Sequence, residues 1–283
     1  MDDILERLVE DQTLGWRYDR QADYVATREF YVEWMGTLCG ELHHHTETFH
    51  HSVATFDAYM QLPNIRQHLQ KIRYLRNKTK NEVMTLIAAT CIFISAKYHE
   101  MTYPGIHQLL DYIRVPFTYD QFVAQEATIL IMLDWRVQFI STYDFLTHFL
   151  CQGILFNTDQ IKNQSTKQKM PLDYNTQPEI LRHNAEVLLE KILKKHEFLN
   201  YDRLTLACGV VMAARKVANL ADLWPEQLVA MTGNQMRYPN VRPCMKHILS
   251  FFDEVSASIS SSCTSSPARG SPATVQKTVK RQT

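Results

Sequence analysis

Two runs of small apolar residues constrain the fold of this chain more than any other feature. The first occupies residues 83–97 and the second occupies residues 204–216. A helix that is apolar on nearly every side must be surrounded by other helices, because it has no face to offer to water. Two such helices far apart in the sequence therefore predict two helical bundles, each built around its own buried central helix.

The length and composition agree with an all-α protein of two domains. The chain has 283 residues, of which 45% are hydrophobic, and it contains only 8 glycines and 10 prolines. This length suffices for two hydrophobic cores. Lys plus Arg and Asp plus Glu both number 30, so the formal net charge is zero. That balance excludes a basic field over the whole molecule, and we expect no direct nucleic-acid partner.

Neither the apolar runs nor the cysteines indicate a membrane or secreted protein. The first run is short, contains Thr and Ser, and ends in Lys97, unlike a membrane span. The first residues are charged and carry no signal-peptide core. The six cysteines show no C-x-x-C spacing, and Cys91 and Cys208 lie in the predicted buried helices. We expect them to be reduced core residues of a protein in the nucleus, the cytoplasm or both.

Helical periodicity divides the chain into four segments. Residues 1–20 hold a short amphipathic helix at 3–10 and a polar connector. The segment 21–139 holds five predicted helices, at 24–42, 46–60, 83–97, 106–113 and 119–133. The segment 140–256 holds five more, at 141–150, 178–196, 200–217, 223–232 and 239–256, with a polar surface loop at 157–177. Residues 257–283 are rich in Ser and Pro, and we expect a disordered tail.

Two stretches of the first domain resemble the cyclin box. The sequence Ile-Phe-Ile-Ser-Ala-Lys-Tyr-His-Glu-Met-Thr-Tyr-Pro at 92–104 is similar to the end of the buried third helix of that box and the turn after it. Residues 119–137, which end in Leu-Asp-Trp-Arg-Val, are similar to its fifth helix and exit. Upstream, three positions also carry the residue types found in cyclins: Arg28, Trp34 and Asp57.

The second domain is similar to the second cyclin fold of mitotic-type cyclins. The motifs that carry this similarity are Trp224-Pro-Glu-Gln-Leu228, Thr232-Gly233 and Pro243-Cys-Met245. The chain is identified as a member of the cyclin family over residues 22–255. The resemblance implies a regulatory subunit, not an enzyme, that binds and activates a cyclin-dependent Ser/Thr protein kinase in cell-cycle control and helps select its substrates. It implies no cofactor and no membrane partner.

The resemblance assigns a kinase-binding face to the first domain. In cyclins, residues corresponding to Lys97 and Glu126 bond backbone groups that flank the regulatory helix of the kinase. An ammonium can donate several such bonds and a carboxylate can accept them. On the residues alone, Lys97 could equally lie along its helix end and Glu126 could be solvated. The other residues expected to face the kinase are Tyr98, Met101, Leu130, Trp135 and Val137.

The helix at residues 3–10 has two interpretations. Its apolar face is formed by Ile4, Leu5 and Leu8. The resemblance suggests the N-terminal helix that cyclins lay against the kinase, which would make these residues part of the kinase-binding set. A free amphipathic helix can equally pack on its own domain. Both interpretations stay open on the sequence.

The resemblance also implies a substrate-docking groove on the first domain. It would be formed by Phe30, Tyr31, Trp34, Thr37 and Thr85, next to Thr27. Trp34 keeps the hydrophobic floor, but Thr27, Phe30 and Tyr31 replace the usual Met, Ile and Leu. Thr37 replaces an acidic residue that meets the Arg of a docking peptide, and Thr85 replaces a Gln. We therefore expect a groove whose preference departs from Arg-x-Leu peptides.

Arg28 and Asp57 are expected to form a buried ion pair that serves the architecture. They lie on the first and second predicted helices of the box. Removing either partner would leave an uncompensated buried charge, which costs about 3–5 kcal/mol.

No metal site is predicted from the histidine-rich segment. Residues 41–44 and 47–50 each spell Glu-x-x-His, a spacing that di-iron bundles use on facing helices. The two copies are close in sequence and the first falls at a predicted turn, so a polar surface is favoured.

Two further motifs are assigned little weight. A basic connector is expected to be solvated, and it contains Arg66, Lys71, Arg73, Arg76, Lys78 and Lys80. In the tail, Ser266 and Ser271 each precede a proline and resemble sites of proline-directed phosphorylation.

Two other functions are compatible with tandem cyclin folds. One is a kinase-independent scaffold whose kinase face has lost its function, and Lys97, Glu126 and Trp135 argue against it. The other is a TFIIB-like transcription factor core. That class predicts an N-terminal zinc ribbon and a basic chain, and neither pattern is seen in this sequence.

Overall fold

The computed structural model describes residues 3–13, 24–114, 116–162, 168–171, 177–233 and 238–263. The predicted phosphorylation sites Ser266 and Ser271 lie outside these residues. Helices dominate the described ranges, as predicted, and they form two bundles with separate hydrophobic cores. Within the same ranges, no helix combines the length and the apolar character that a membrane span requires.

The first bundle surrounds a central helix, as the first apolar run predicts. Its elements are α2 (Val25–Glu41), α3 (Thr46–Met60), α4 (Ile65–Lys71), the 3-10 turn η1 (Arg73–Leu75), α5 (Lys80–His99), α6 (Ile106–Ile113) and α7 (Tyr119–Met132). Helix α5 contacts α2, α3, α6 and α7. It starts at a capping box in which the Thr79 side chain accepts from the Glu82 N–H at 3.2 Å. Every residue from Leu86 to Ala96 is buried.

The basic connector is partly helical, which the sequence does not predict, but five of its six basic side chains are exposed, as expected for a solvated segment. Part of it forms α4 and η1. The structure describes every residue of α4, and none of them is fully buried. The sequence of this helix therefore shows only a weak pattern of alternating buried and exposed positions. Lys78 donates to the Pro116 carbonyl at 2.5 Å and lies 4.9 Å from the centroid of the Phe117 ring. At least this cation is therefore tied to the bundle.

The second bundle repeats the plan around α10. Its elements are α8 (Thr142–Gln152), α9 (Gln177–Leu193), the 3-10 turn η2 (His196–Asn200), α10 (Arg203–Val217), α11 (Glu226–Thr232) and α12 (Tyr238–Cys263). Helix α10 packs against α8, α9 and α12. Ser141 caps α8, because its Oγ accepts from the Asp144 N–H at 3.3 Å. Helix α12 continues beyond residue 256, where the sequence predicts the start of the tail.

The polar loop predicted at 157–177 contains ordered structure. Strands β1 (Gln160–Lys162) and β2 (Lys169–Pro171) form an antiparallel hairpin, with Ile161 opposite Met170. Next to it, Asp159 is buried and forms an ion pair with Arg215 of α10, whose Nη1 lies 3.0 Å from Asp159 Oδ2. Most described residues of this segment are exposed, as predicted, but the hairpin and the buried Asp159 were not predicted. A single buried carboxylate in a polar stretch produces no periodic pattern.

The N-terminal helix α1 (Asp3–Thr13) packs on the second bundle. Leu5 is completely buried in the second core, and Leu8 is partly buried against it. Helix α1 contacts α8. The structure therefore favours packing on its own chain for these two leucines, and Ile4 stays exposed.

Arg28 joins the two bundles. It forms the predicted ion pair with Asp57, with Nε–Oδ1 and Nη2–Oδ2 distances of 2.7 Å, and both side chains are buried. Its Nη1 also donates to the Leu193 carbonyl at 2.9 Å and to the Lys194 carbonyl at 3.1 Å, at the end of α9. The residue thus serves the architecture of the whole molecule and not only that of the first bundle.

Candidate functional site

Lys97 and Glu126 come together where the end of α5 meets α7. The Lys97 ammonium bonds Glu126 Oε1 and lies 4.8 Å from the centroid of the Phe93 ring. The Lys97 side chain is 36% exposed, whereas the Glu126 side chain is 12% exposed. The ammonium is therefore accessible from outside, and the carboxylate lies just beneath it. Each group already has a partner of opposite charge and can exchange it for a partner on another chain.

Large apolar side chains are exposed at the end of α5, at the end of α7 and in the turns that follow these helices. Met101 is 99% exposed and Trp135 is 68% exposed, and Tyr98 is also exposed. Exposed large apolar side chains close to one another are typical of protein interaction sites. Sequence reasoning missed two further exposed residues, Tyr103 in the connection after α5 and Ile131 on α7. Ile131 follows Leu130 directly, so a check of the apolar positions on both sides of α7 could have found it.

Leu130 and Val137 are less exposed than the prediction of direct kinase contacts implies. Both are partly buried and pack against the first core. Their side chains therefore contribute to the first core more than to the exposed surface.

The backbone at the end of α7 directs Trp135 outward. Asp134 and Trp135 have φ angles of 54° and 59°, in the left-handed region. That region costs a residue with a side chain about 1–2 kcal/mol. The Trp135 N–H donates to the Leu130 carbonyl at 2.8 Å, and this bond fixes the turn. Strained backbone of this kind concentrates at functional sites, which makes Trp135 a strong candidate for partner contact.

Glu100 fixes the end of α5 on which Lys97 lies. Its carboxylate accepts from the His45 N–H at 2.7 Å and from the Thr48 hydroxyl at 2.5 Å, at the start of α3. Burial opposes ionisation of Glu100, but these hydrogen bonds outweigh burial and lower its pKa. The carboxylate is thus charged at neutral pH, and it ties α5 to α3 beside the candidate site.

The predicted substrate-docking groove is present only in part. Phe30 and Thr37 are exposed, and Trp34 and Thr85 are half-buried. Tyr31 is buried, 6.4 Å from Phe56 between ring centroids. The prediction that Tyr31 lines the surface was wrong, because its position on α2 turns its ring toward α3.

A cleft extends the groove from α2 toward α6. It has a volume of about 830 Å³ and is lined by Trp34, Thr37, Leu38, Glu41, Gln108, Asp111, Tyr112 and Arg114. The carboxylates of Glu41 and Asp111 line it together with the Arg114 guanidinium, so the lining carries one net negative charge. This charge lies near the position where Thr37 replaces the usual acidic residue.

Four of the five cysteines whose side chains the structure describes are core residues, as expected, and Cys151 is not. Cys39, Cys91, Cys151, Cys208 and Cys244 are free thiols, and all except Cys151 are buried. Burial raises the pKa of Cys39 to about 12 and that of Cys244 to about 12. These two thiols are therefore protonated at neutral pH and are poor nucleophiles.

Comparison with known families covers both bundles. The family model of the cyclin N-terminal domain matches residues 6–138, and that of the cyclin C-terminal domain matches residues 140–270. Among curated proteins, the G1/S-specific cyclin-D1 of Xenopus laevis is 23% identical over 69% of this chain and 56% of its own length. The putative cyclin-B3-1 of Arabidopsis thaliana is 22% identical over 80% of this chain and 47% of its own length. The chain spans about half the length of these relatives.

Solved structures share the fold. The X-ray structure of a viral cyclin from herpesvirus saimiri superposes with a TM-score of 0.53 at 18% identity, covering 89% of this chain and 98% of the viral one. A chain of the yeast RNA Pol II CTD kinase CTDK-1 complex superposes with a TM-score of 0.52 at 13% identity, covering 87% of this chain and 71% of its own. Since the two family models together span nearly the whole molecule, this chain belongs to the cyclin family.

Proposed function

We propose that this cyclin is the regulatory subunit of a cyclin-dependent Ser/Thr protein kinase, acts in cell-cycle control in the nucleus or cytoplasm, and has no catalytic activity of its own. One observation carries the proposal: the Lys97–Glu126 ion pair lies in an exposed apolar surface on the first bundle. Cyclins are regulatory subunits, and the resemblance assigns kinase binding to the same pair.

The ion pair suits the recognition of a helix end. On binding, the Lys97 ammonium would donate to kinase backbone carbonyls and the Glu126 carboxylate would accept kinase N–H groups. The kinase helix would thereby be held inward, which completes the Lys–Glu ion pair that positions ATP phosphates. The cyclin can drive this change only by binding the active conformation more tightly than the inactive one.

The apolar side chains supply the contact area. Met101 lies in the connection after α5 and Trp135 in the turn after α7, and exposed Trp residues are frequent binding hot spots. Stable regulatory interfaces of this type usually exceed about 1,600 Å². The apolar residues would therefore form the centre of a larger contact that also covers Tyr98 and Ile131.

We assign the cleft between α2 and α6 to substrate docking. The cleft is lined by the apolar ring of Trp34 and by the carboxylates of Glu41 and Asp111. These features suit a peptide that has an apolar side chain near basic residues. The acidic positions differ from Thr37, so the spacing of the basic and apolar residues in the peptide should differ from Arg-x-Leu.

Kinase activation tests the main proposal. The purified full chain is mixed with a panel of cyclin-dependent kinases, and phosphorylation of a Ser-Pro-x-Lys peptide is measured. We expect stimulation of at least one kinase. Lys97→Glu and Glu126→Lys should each abolish it, because loss of one partner in such a contact costs about 2 kcal/mol or more of binding. Lys71→Glu, which reverses an exposed charge on α4, should leave stimulation unchanged.

Exchange of both charges separates folding from recognition. A protein with Lys97→Glu and Glu126→Lys keeps an internal ion pair but presents the wrong charges to the kinase. We expect it to fold normally and to stimulate no kinase. Stimulation by this variant would contradict the assigned roles. A folded wild-type chain that stimulates no kinase in the panel would contradict the proposal and favour a kinase-independent scaffold.

A further inference from the structure

We propose that Glu47, His51 and His99 bind a divalent transition-metal ion of the zinc class at the seam between the two bundles. Glu47 and His51 lie one turn apart on α3, and His99 is the last residue of α5. One ligand atom from each of the three residues lies within 4.8 Å of the other two. The inference is independent of the proposed kinase function.

The distances approach those of a metal site. Ligands at about 2.0–2.1 Å from a tetrahedral zinc ion lie about 3.3–3.5 Å from one another. The His99 Nδ1 and Glu47 Oε1 atoms are already 3.4 Å apart. The His51 and His99 rings face each other with centroids 4.3 Å apart. Since the three ligand atoms lie within 4.8 Å of one another, a closure of at most about 1.5 Å brings them to this spacing.

His51 provides an independent indication of a missing ligand. Its side chain is 3% exposed, and among the described residues its Nδ1 atom has no hydrogen-bond partner. A buried polar atom without a partner costs free energy and calls for an explanation. A bound metal ion beside this ring would supply one.

Asp144 would act as a positioning residue. Asp144 lies in the first turn of α8 in the second bundle, and its Oδ1 atom is 3.2 Å from His51 Nε2. Carboxylates that hydrogen bond to a metal-bound imidazole fix the orientation of the ring and raise its basicity. The ion would thus connect α3 and α5 directly and reach α8 through Asp144.

The accessibility and donor set of the cluster also suit a metal. The Glu47 side chain is 50% exposed, which gives an ion a path from solvent. Two imidazoles and one carboxylate leave a fourth position for water, a donor set that favours zinc over calcium or magnesium.

The local motif in the sequence does not contain this site. The Glu-x-x-His spacing pairs Glu47 with His50, but the His50 ring stacks on Tyr143 at 4.8 Å between centroids. The cluster uses His51 instead, together with a histidine from a distant helix. The prediction that no metal binds considered only neighbours in the sequence, and it is revised here for this reason.

Cobalt binding tests the inference, because four-coordinate Co²⁺ has an intense visible spectrum. The full chain, reduced and stripped with a chelator, is titrated with Co²⁺ and then with Zn²⁺. We expect one ion per chain in a nitrogen and oxygen environment, displaced by Zn²⁺. His99→Gln and Glu47→Gln should each weaken binding by about 100-fold or more. Loss of a hydrogen-bond partner of a ligand typically costs about 10–100-fold, and loss of a ligand itself should cost at least as much. His107→Gln, at an exposed histidine on α6, should bind as the wild type does.

Folding is checked separately through the thermal unfolding of each metal-free variant. Glu47→Gln changes a half-exposed side chain and should melt at the wild-type temperature, so it keeps the test valid if His99→Gln is unstable. Three results would overturn the inference. These are the absence of stoichiometric binding, binding that Glu47→Gln leaves unchanged, and a thiolate-to-cobalt charge-transfer band, which would assign the ion to cysteines.

Discussion

His50 is a buried ionisable residue whose charge state contributes to stability. Its ring stacks on Tyr143 of the second bundle, and among the described residues its Nδ1 has no hydrogen-bond partner. Burial lowers the pKa of His50 to about 3, from 6.5 for an unperturbed imidazole. The ring is therefore neutral in the folded protein at physiological pH.

The pH dependence of unfolding should reveal this neutral histidine. Below pH 6.5 the unfolded chain binds a proton at His50 that the folded chain does not, so stability is full above pH 6.5 and falls as the pH drops toward 3. From pH 7.5 to 5.5 the free energy of unfolding should fall by about 1.4 kcal/mol from this residue. Urea unfolding with a chelator present measures it. His50→Phe, which retains ring stacking, should lack this part of the pH dependence, whereas His107→Gln should keep it. An equal pH dependence in His50→Phe and the wild type would contradict the assignment.

Arg215 is the buried cation of the second bundle. Its side chain and that of Asp159 are almost completely buried, and its Nη1 also donates to the Ile154 carbonyl at 2.6 Å. Arg215→Ala leaves the carboxylate uncompensated and should lower the free energy of unfolding by about 3–5 kcal/mol. Chemical denaturation measures this loss.

An exposed arginine provides the matched control. Arg182 pairs with Glu186 at 3.1 Å one turn along α9, on the surface. Arg182→Ala should cost only about 0.3–0.5 kcal/mol. Similar losses for both variants would show that the buried pair contributes no more than a surface pair.

At the level of helices, the contact between α10 and α12 depends on a glycine. A Cβ atom at Gly209 would lie 2.8 Å from Cys244 Sγ, which is shorter than any normal contact. Gly209→Ala should therefore destabilise the protein by about 1–3 kcal/mol through overpacking, despite the better helix propensity of alanine. The melting temperature measures the change.

Gly40 in α2 separates packing from propensity. Apart from Gly40 itself, its two chain neighbours and the backbone of its own helix, no heavy atom of the described residues lies within 4 Å of a Cβ built there. Gly40→Ala should stabilise the protein by about 0.5–1 kcal/mol, because it lowers the entropy of the unfolded chain without a clash. Equal effects at the two glycines would contradict close packing of α10 on α12.

The central helices could be predicted from the sequence, whereas the smaller elements could not. An apolar run such as 83–97 has only one stable environment, so α5 follows from local composition. The hairpin of β1 and β2 depends on contacts far along the chain, such as the bridge between Ile161 and Leu220. Such contacts leave no periodic trace in a polar segment, and the same holds for the short helix α4.

Residues of the candidate site could be predicted where their charge identifies them. They could not be predicted where the rotation of a helix decides which side chains are buried. Lys97 and Glu126 stand out by their charge in apolar surroundings, and the structure brings them together. Tyr31 and Leu5 are apolar residues on amphipathic helices, and only packing decides which neighbour buries them. The His51–His99 contact joins two helices, so no local spacing indicates it.

The candidate kinase surface lies on the first bundle, and contacts with the second bundle stabilise the first. Arg28 links α2 to the end of α9, and Lys195 pairs with Glu29 at 2.5 Å across the same seam. Glu100 holds the end of α5 to α3. The surface around Lys97 is thus formed on rigid helices, which lowers the entropic cost of binding a partner.

The affinity of the chain for the kinase that it stimulates most strongly tests the assigned surface directly. Calorimetry on the wild type, Trp135→Ala and Tyr112→Ala compares two exposed aromatic residues on different faces. Trp135→Ala should weaken binding by about 2 kcal/mol or more, which is about thirtyfold, because a central Trp is a typical hot spot. Tyr112→Ala, in the cleft beside α6, should bind as the wild type does. Unchanged affinity for Trp135→Ala would contradict the kinase surface proposed for this cyclin.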